Sequence, residues 1–142
     1  GVWIQTTTTG LGSPSSQPVG AIPHMNNRQV IGRWGEMIAT KYLVEQGYII
    51  LERNVRTPYG EIDLIARHGD MIVFVEVKTR TSNRYGFPEE AITNRKQAHL
   101  LSSIEHYIQV RTDLDSEWRV DAISVEGKPG KQPTITHFEN VI

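Results

Sequence analysis

The chain has 142 residues, enough for one domain of ordinary size that buries a core without disulfide support. Its 15 Lys and Arg against 16 Asp and Glu leave a net charge of −1, which excludes a basic coat that would hold any polyanion. The absence of cysteine excludes a disulfide scaffold, a thiolate metal site, an iron–sulfur cluster and a thiol nucleophile, and makes a reducing, cytoplasmic location the expectation.

Residues 1–27 carry no Asp, Glu, Lys or Arg and are rich in Thr, Gly, Ser and Pro. They show no helical or strand periodicity, and the expectation is a disordered N-terminal tail or leader. They lack the basic start and apolar stretch of a signal peptide. The folded domain is expected over 28–142. The longest unbroken aliphatic or aromatic run, Met71 to Val75, is far too short to span a bilayer, so no membrane partner is expected.

Gln29 to Gln46 reads as a helix. Ile31, Gly35, Ile38, Ala39 and Tyr42 recur at helical spacing, Asn26 or Asn27 can cap the start, and Gly47 suits the C-terminal stop. Tyr48 to Arg53 is a short strand, and Pro58-Tyr59-Gly60 a turn. Glu61 to His68 and Met71 to Thr79 are strands around Gly69-Asp70, and Thr81 to Pro88 a loop. Thr93 can cap a second helix to about Val110, with Ala98, Leu101, Ile104, Tyr107 and Ile108 as its stripe. Trp118 to Val125 is a further strand, and Thr134 to Phe138 an added edge strand. The order α-β-β-β-α-β predicts an α/β fold with one mixed β-sheet flanked by helices. Trp34 and Trp118 read as core residues, and the five histidines, which lack close metal-ligand spacing, as surface or packing residues.

Two strands carry charges where a sheet core should be. On Met71–Thr79 side chains alternate, so Glu76 and Lys78 share a face with Ile72 and Phe74. On the preceding strand Ile62, Leu64 and Ala66 take one face; Glu61, Asp63 and Ile65 take the other. A two-residue Gly69-Asp70 loop of type II′ pairs His68 with Met71 and brings Asp63 opposite Glu76 and Glu61 opposite Lys78. A three-residue loop would break the cluster. Facing carboxylates beside a lysine suit Mg²⁺ with phosphate and water as its other ligands. The same groups also suit a plain cross-strand ion pair. Glu36, on a helix thinned by Gly32 and Gly35, adds a carboxylate that leans toward Ala39, Thr40 and Leu43.

Gly32-Arg-Trp-Gly-Glu36, Gly60-Glu-Ile-Asp63 and Val75-Glu76-Val-Lys78, in that order, resemble the PD-(D/E)xK nuclease superfamily. More narrowly the chain resembles the YraN-like family of uncharacterised proteins, related to archaeal Holliday-junction resolvases. The resemblance covers about Arg28 to Ile142, and Ile62 stands where the superfamily name has Pro. It implies a restriction-endonuclease-like fold. It makes Asp63 and Glu76 the core ligands of Mg²⁺, with Mn²⁺ as a substitute, Lys78 the catalytic lysine and Glu36 an added metal-binding carboxylate. The expected activity is hydrolysis of phosphodiester bonds in DNA, branched or structured; the alternative is a nucleic-acid-binding module that does not cut, and a third reading is a scaffold with a structural charge cluster. Arg33, Arg80, Arg84, Arg95 and Lys96 are candidate phosphate contacts. Two symmetrical cuts of a junction imply a homodimer, with the edge near Trp118 to Val125 and the closing 135–142 segment as its surface.

Overall fold

In the computed structural model, which describes residues 5–9, 26–81, 94–111 and 116–142, an asparagine opens the first helix. Asn26 Oδ1 accepts from Gln29 N–H at 2.8 Å while Gln29 Oε1 accepts from Asn26 N–H at 3.1 Å, and α1 follows over Asn27–Glu45. It stops where Gly47 takes φ 91°, a left-handed value that glycine adopts without a Cβ penalty. Tyr48 N–H then donates to Leu43 O at 2.9 Å and Gly47 N–H to Val44 O at 3.1 Å, which satisfies the last carbonyls.

The strands are β1 Gln5–Thr9, β2 Ile49–Thr57, β3 Gly60–His68, β4 Met71–Arg80, β5 Trp118–Glu126 and β6 Thr134–Phe138, and α2 covers Asn94–Val110. They form one mixed sheet in the order β1-β6-β5-β4-β3-β2. Among the described strands only β4 and β5 run parallel; α2 lies between them in the chain. Thus β4 is central, as its apolar run implies. The architecture is the α/β, restriction-endonuclease-like one expected.

Each sheet face has its own core. On one side Trp34, Ile38, Ala39, Tyr42 and Leu43 of α1 pack on Leu64, Ala66, Val73, Val75, Ile123 and Val125. On the other Leu100, Ile104 and Tyr107 of α2 pack on Ile62, Ile65, Ile72, Phe74 and Val120. Gly35 sets the approach of α1 to β4: a Cβ there would fall 1.8 Å from Thr79 Oγ1. The α2 stripe is Leu100, Ser103, Ile104 and Tyr107, while Ala98 is exposed; the stripe is rotated from the one the sequence suggested.

Four other expectations change. Gln5–Thr9, inside the stretch read as a disordered tail, lies antiparallel along β6, a position suited to its β-branched threonines. Consequently β6 is interior rather than an edge. Nor is β5 an edge, since β4 and β6 flank it, so Trp118 to Val125 offers no free strand for a dimer contact. Trp118 is 40% exposed and meets Phe74 edge-on at 5.7 Å, because it opens β5 at the rim of the sheet. The Thr81 to Pro88 loop, apart from Thr81, and the Thr93 cap lie outside the described residues.

Candidate active site

The β3–β4 hairpin has the two-residue loop anticipated: His68 pairs with Met71, and Gly69 has φ 62°. Paired register runs to Leu64↔Val75, where the ladder stops. Beyond it the Asp63 side chain takes over: Oδ2 accepts from Val77 N–H at 2.9 Å. On its other flank β3 still pairs with β2, through Arg53↔Leu64 and Val55↔Ile62. Between those pairs Asn54 stands across from Asp63 with φ 51°, a left-handed conformation that asparagine tolerates better than most residues. The strand rolls here. Leu64 belongs to the α1-side core and Ile62 to the α2-side core, so Ile62, Leu64 and Ala66 do not share one face as simple alternation demands. The roll leaves Asp63 past the end of the β3–β4 ladder, where it meets Glu36 of α1 and Glu76 of β4.

The carboxylate oxygens of Glu36, Glu61 and Asp63 lie within 4.8 Å of one another. Glu76 also acts on Asp63, and each is half-buried. Burial, then the Glu76 charge, then Glu36 and Glu61 push the Asp63 carboxyl far above its ordinary range, against the lowering effect of Val77 N–H. Burial also raises Glu76, although Lys96, Lys78 and Asp63 offset part of the rise. Glu36 rises through burial and the Glu61 charge, opposed by Asn54 and Arg33. Burial lowers the Lys78 amine, and the charges of Lys96 and Arg80 add to that, against the pull of Glu76. Glu76 also lies 3.4 Å from Lys96 Nζ of α2.

Asn54 and Glu61 were not among the residues singled out for a role. With its amide nitrogen turned to the acceptors, Asn54 donates to Glu36 Oε1 and Glu61 Oε1, 3.0 Å each. It therefore braces two carboxylates that would otherwise repel. The sequence signal was weak: asparagine is enriched at left-handed backbone positions, and Asn54 follows directly on the strand expected over Tyr48 to Arg53. Glu61 turns toward this group and not toward Lys78, since β3 and β4 carry no paired register at that level. Arg28, also unanticipated, contributes positive charge at Lys78.

Of the proposed phosphate contacts, Arg33 lines a groove with Gly32, Glu36, Asn54, Arg56 and Glu61. Arg80 stands near Lys78 and Lys96 on Glu76. Arg95 is exposed at the start of α2, and Arg84 lies outside the described residues. The described residues thus place cations on both sides of the carboxylates.

A second acidic group, Asp121, His137 and Glu139, is of another kind. Asp121 is fully buried and accepts from Arg119 Nε at 3.0 Å and Asn140 N–H at 2.9 Å, with His137 Nε2 at 2.8 Å. The other His137 nitrogen is 3.1 Å from the Tyr42 hydroxyl. His137 is thus a packing residue, as expected, and its carboxylate partner is saturated within the protein. Among the described residues the oxygens of Glu36, Glu61 and Asp63 draw on fewer donors: the Asn54 amide, Val77 N–H and the exposed Arg56 guanidinium 3.9 Å from Glu61. They are hard ligands crowded together against their own repulsion, a donor set that fits a divalent cation.

One mixed sheet between helices, with carboxylates from α1, β3 and β4 and a lysine two residues beyond the β4 Glu, defines a restriction-endonuclease-like protein of the PD-(D/E)xK superfamily. Comparison with known sequences narrows this. The profile of uncharacterised protein family UPF0102 matches residues 35–125. A UPF0102 protein of Syntrophomonas wolfei is 46% identical over 114 residues, covering 80% of this chain and 97% of its own. One of Syntrophotalea carbinolica is 44% identical over 111 residues, 78% of this chain and 89% of its own, and one of Leifsonia xyli 41% identical over 118 residues, 83% and 100%. The chain belongs to the UPF0102 family, the YraN-like family. Among the described residues no helix is long and apolar enough to cross a membrane.

Proposed function

We propose that this protein is a divalent-cation-dependent nuclease that hydrolyses phosphodiester bonds of DNA, branched or otherwise structured. The observation that carries the reading is Asp63: a half-buried carboxylate, anchored by Val77 N–H, at the meeting point of Glu36, Glu61 and Glu76, the last of which also feels the charge of Lys78. Asp63, Glu76 and Glu36 would hold Mg²⁺ or Mn²⁺, which when bound lowers the pKa of water and neutralises charge on a phosphoryl oxygen.

The chain's own groups do the rest. Asp63 is fixed by its backbone bond and so presents its free oxygen in one direction. Lys78 places a cation near Glu76, where it stabilises the charge that develops on the phosphoryl oxygens and orients the attacking water. The lowered Lys78 pKa makes its proton easier to move at the pH of the reaction. Arg33, Arg80, Arg95 and Lys96 hold flanking phosphates, contacts that position the strand without reading its sequence. Asn54 keeps Glu36 and Glu61 aimed at the cluster. A two-fold dimer supplies the second cut that a four-way junction needs, and the cytoplasm is the compartment of this reading.

The test is cleavage of labelled junction, flap, single-stranded and duplex DNA in Mg²⁺ and in Mn²⁺, with Asp63→Ala as the blank. Cleavage that the chelator and the substitution both abolish supports the proposal. Binding without cleavage moves the protein to the non-cutting alternative.

A further inference from the structure

The β2–β3 turn presents one aromatic ring at the edge of the site. Tyr59 is 53% exposed, two residues before Glu61. Its backbone is not loose. Tyr59 N–H donates to Thr57 Oγ1 at 3.1 Å, and the Thr57 hydroxyl lies 2.9 Å from both Gly60 O and Ser103 Oγ of α2. Gly60 has φ 145°, and a Cβ there would lie 3.4 Å from Ser103 Oγ. The turn is therefore pinned to α2 with its aromatic side chain outward. The ring leans edge-on against His106, centroids 6.2 Å apart.

A track leads from this ring to the carboxylates. Lys96, His99, Ser103 and His106 follow at spacings of three and four on α2 and share one face of it. The first three line a groove of about 150 Å³ with Gly60, Glu61 and Glu76. The fourth lines a second depression with Tyr59, Ser102 and Glu105, and Tyr59 and Ser102 are the chain neighbours of Gly60 and Ser103 in the first. The two ends differ in charge. Lys96 is at the carboxylate end, suited to a phosphate. The far end holds an aromatic ring, an imidazole and Glu105, whose carboxylate disfavours phosphate and can accept from an exocyclic amine. Along α2, Lys96 and His106 are about 15 Å apart at 1.5 Å per residue.

The geometry points to Tyr59, packed on His106, as a stacking platform for an unpaired nucleobase on the strand whose phosphate enters between Lys96 and the carboxylates. This rests on the proposed function and names its substrate class: DNA with unpaired nucleotides beside the scissile bond, not continuous duplex, whose bases are paired and stacked inside the helix. Base–aromatic stacking of this kind contributes about 1–3 kcal/mol per base, which is about 5- to 150-fold in Kd.

The experiment separates this claim from the nuclease claim. The Asp63→Asn chain, expected neither to hold the cation nor to cut, is titrated in chelator with a short single-stranded oligonucleotide carrying 2-aminopurine and with the matching duplex. The single strand is expected to bind more tightly, with quenching of the probe. Tyr59→Ala added to that chain is expected to weaken single-strand binding about tenfold and abolish the quenching, with duplex binding unchanged. Tyr59→Phe should restore both. Tyr59 is exposed, so a melting curve identical to the parent's checks the fold. Equal affinities of the Tyr59→Ala and parent chains for the single strand, or equal weakening toward both DNAs, would overturn the platform while leaving a cleaving wild-type enzyme intact. A wild-type chain that neither binds nor cuts DNA would overturn both.

Discussion

Replacing Asp63 by Asn should make the metal-free protein more stable at alkaline pH. The folded chain keeps a proton on Asp63, whose pKa is pushed up to about 8, while the unfolded chain releases it at the ordinary carboxylate value. Between those two values the folded state binds more protons, so stability falls as pH rises through that window and no penalty applies below it. The charges involved are close: Asp63, Glu36 and Glu61 place oxygens within 4.8 Å. Two unit charges at that distance repel by about 3.5 kcal/mol at an effective dielectric near 20. Glu61 is 40% exposed at its side chain, so solvent screens its share. Against the relief stands the Val77 N–H bond, which becomes neutral and loses about 1 kcal/mol. With the relief of burial and of the Glu76 charge added, the net expectation is a gain of at least about 2 kcal/mol near pH 8.5 and almost none near pH 4. Denaturant unfolding in chelator at the two pH values reads it directly. Addition of Mn²⁺ should reverse the order, because binding to the folded wild type stabilises it by mass action. A variant less stable than wild type near pH 8.5 in chelator would show that Asp63 is a structural group and that the cluster is not a strained ligand set.

Other substitutions test neighbouring parts of the account. Lys78→Met should lower cleavage at saturating Mg²⁺ by about 10²-fold or more with little change in DNA affinity, read by single-turnover kinetics. Asn54→Gly keeps the left-handed backbone but drops the bridge between Glu36 and Glu61; it should weaken Mn²⁺ binding about tenfold with a melting temperature near wild type. Gly35→Ala should destabilise by about 1–3 kcal/mol in denaturant, since its Cβ has to displace Thr79, and should lower activity by shifting Glu36. Asp121→Ala should cost about 3–5 kcal/mol because it removes the buried carboxylate that Arg119 and His137 share. Burial alone would raise the Asp121 carboxyl, but His137, Arg119 and Asn140 hold it below its usual range. Its stabilisation is thus complete above the ordinary carboxylate pKa and lost as pH falls through the lower folded value. An acid-unfolding midpoint that Asp121→Asn leaves unmoved would contradict this.

The register of the β3–β4 hairpin was legible in part: the two-residue loop and side-chain alternation bring Asp63 and Glu76 to one end of the sheet, but the ladder stops at Leu64↔Val75, short of the expected Asp63–Glu76 and Glu61–Lys78 pairings. The position of Glu36 was legible through Gly35, whose missing side chain admits Thr79. Periodicity failed where the chain breaks its own period. The roll at Asp63 moves Ile62 to the other core where the left-handed Asn54 stands across the β2–β3 pair, a departure from regular alternation that periodicity within one strand does not register. Glu61 could not be assigned for the same reason. Trp118 was misread because a large apolar side chain at the first residue of a strand finds its partner, Phe74, on one side only. The pairing of Gln5–Thr9 with β6 was hidden because an edge strand of threonines has no apolar alternation to betray it.

The central claim is that the cluster around Asp63 is a divalent-cation site. Titration of the purified chain with Mn²⁺ at mildly alkaline pH, followed by the loss of the free-ion electron paramagnetic resonance signal, tests it most directly. Saturable binding to the wild type, released by excess Mg²⁺ and abolished in Asp63→Asn and Glu76→Gln chains that melt no lower than the metal-free wild type, is the predicted result. An undiminished free-ion signal with the wild type, or equal binding by the Asp63→Asn chain, would contradict it.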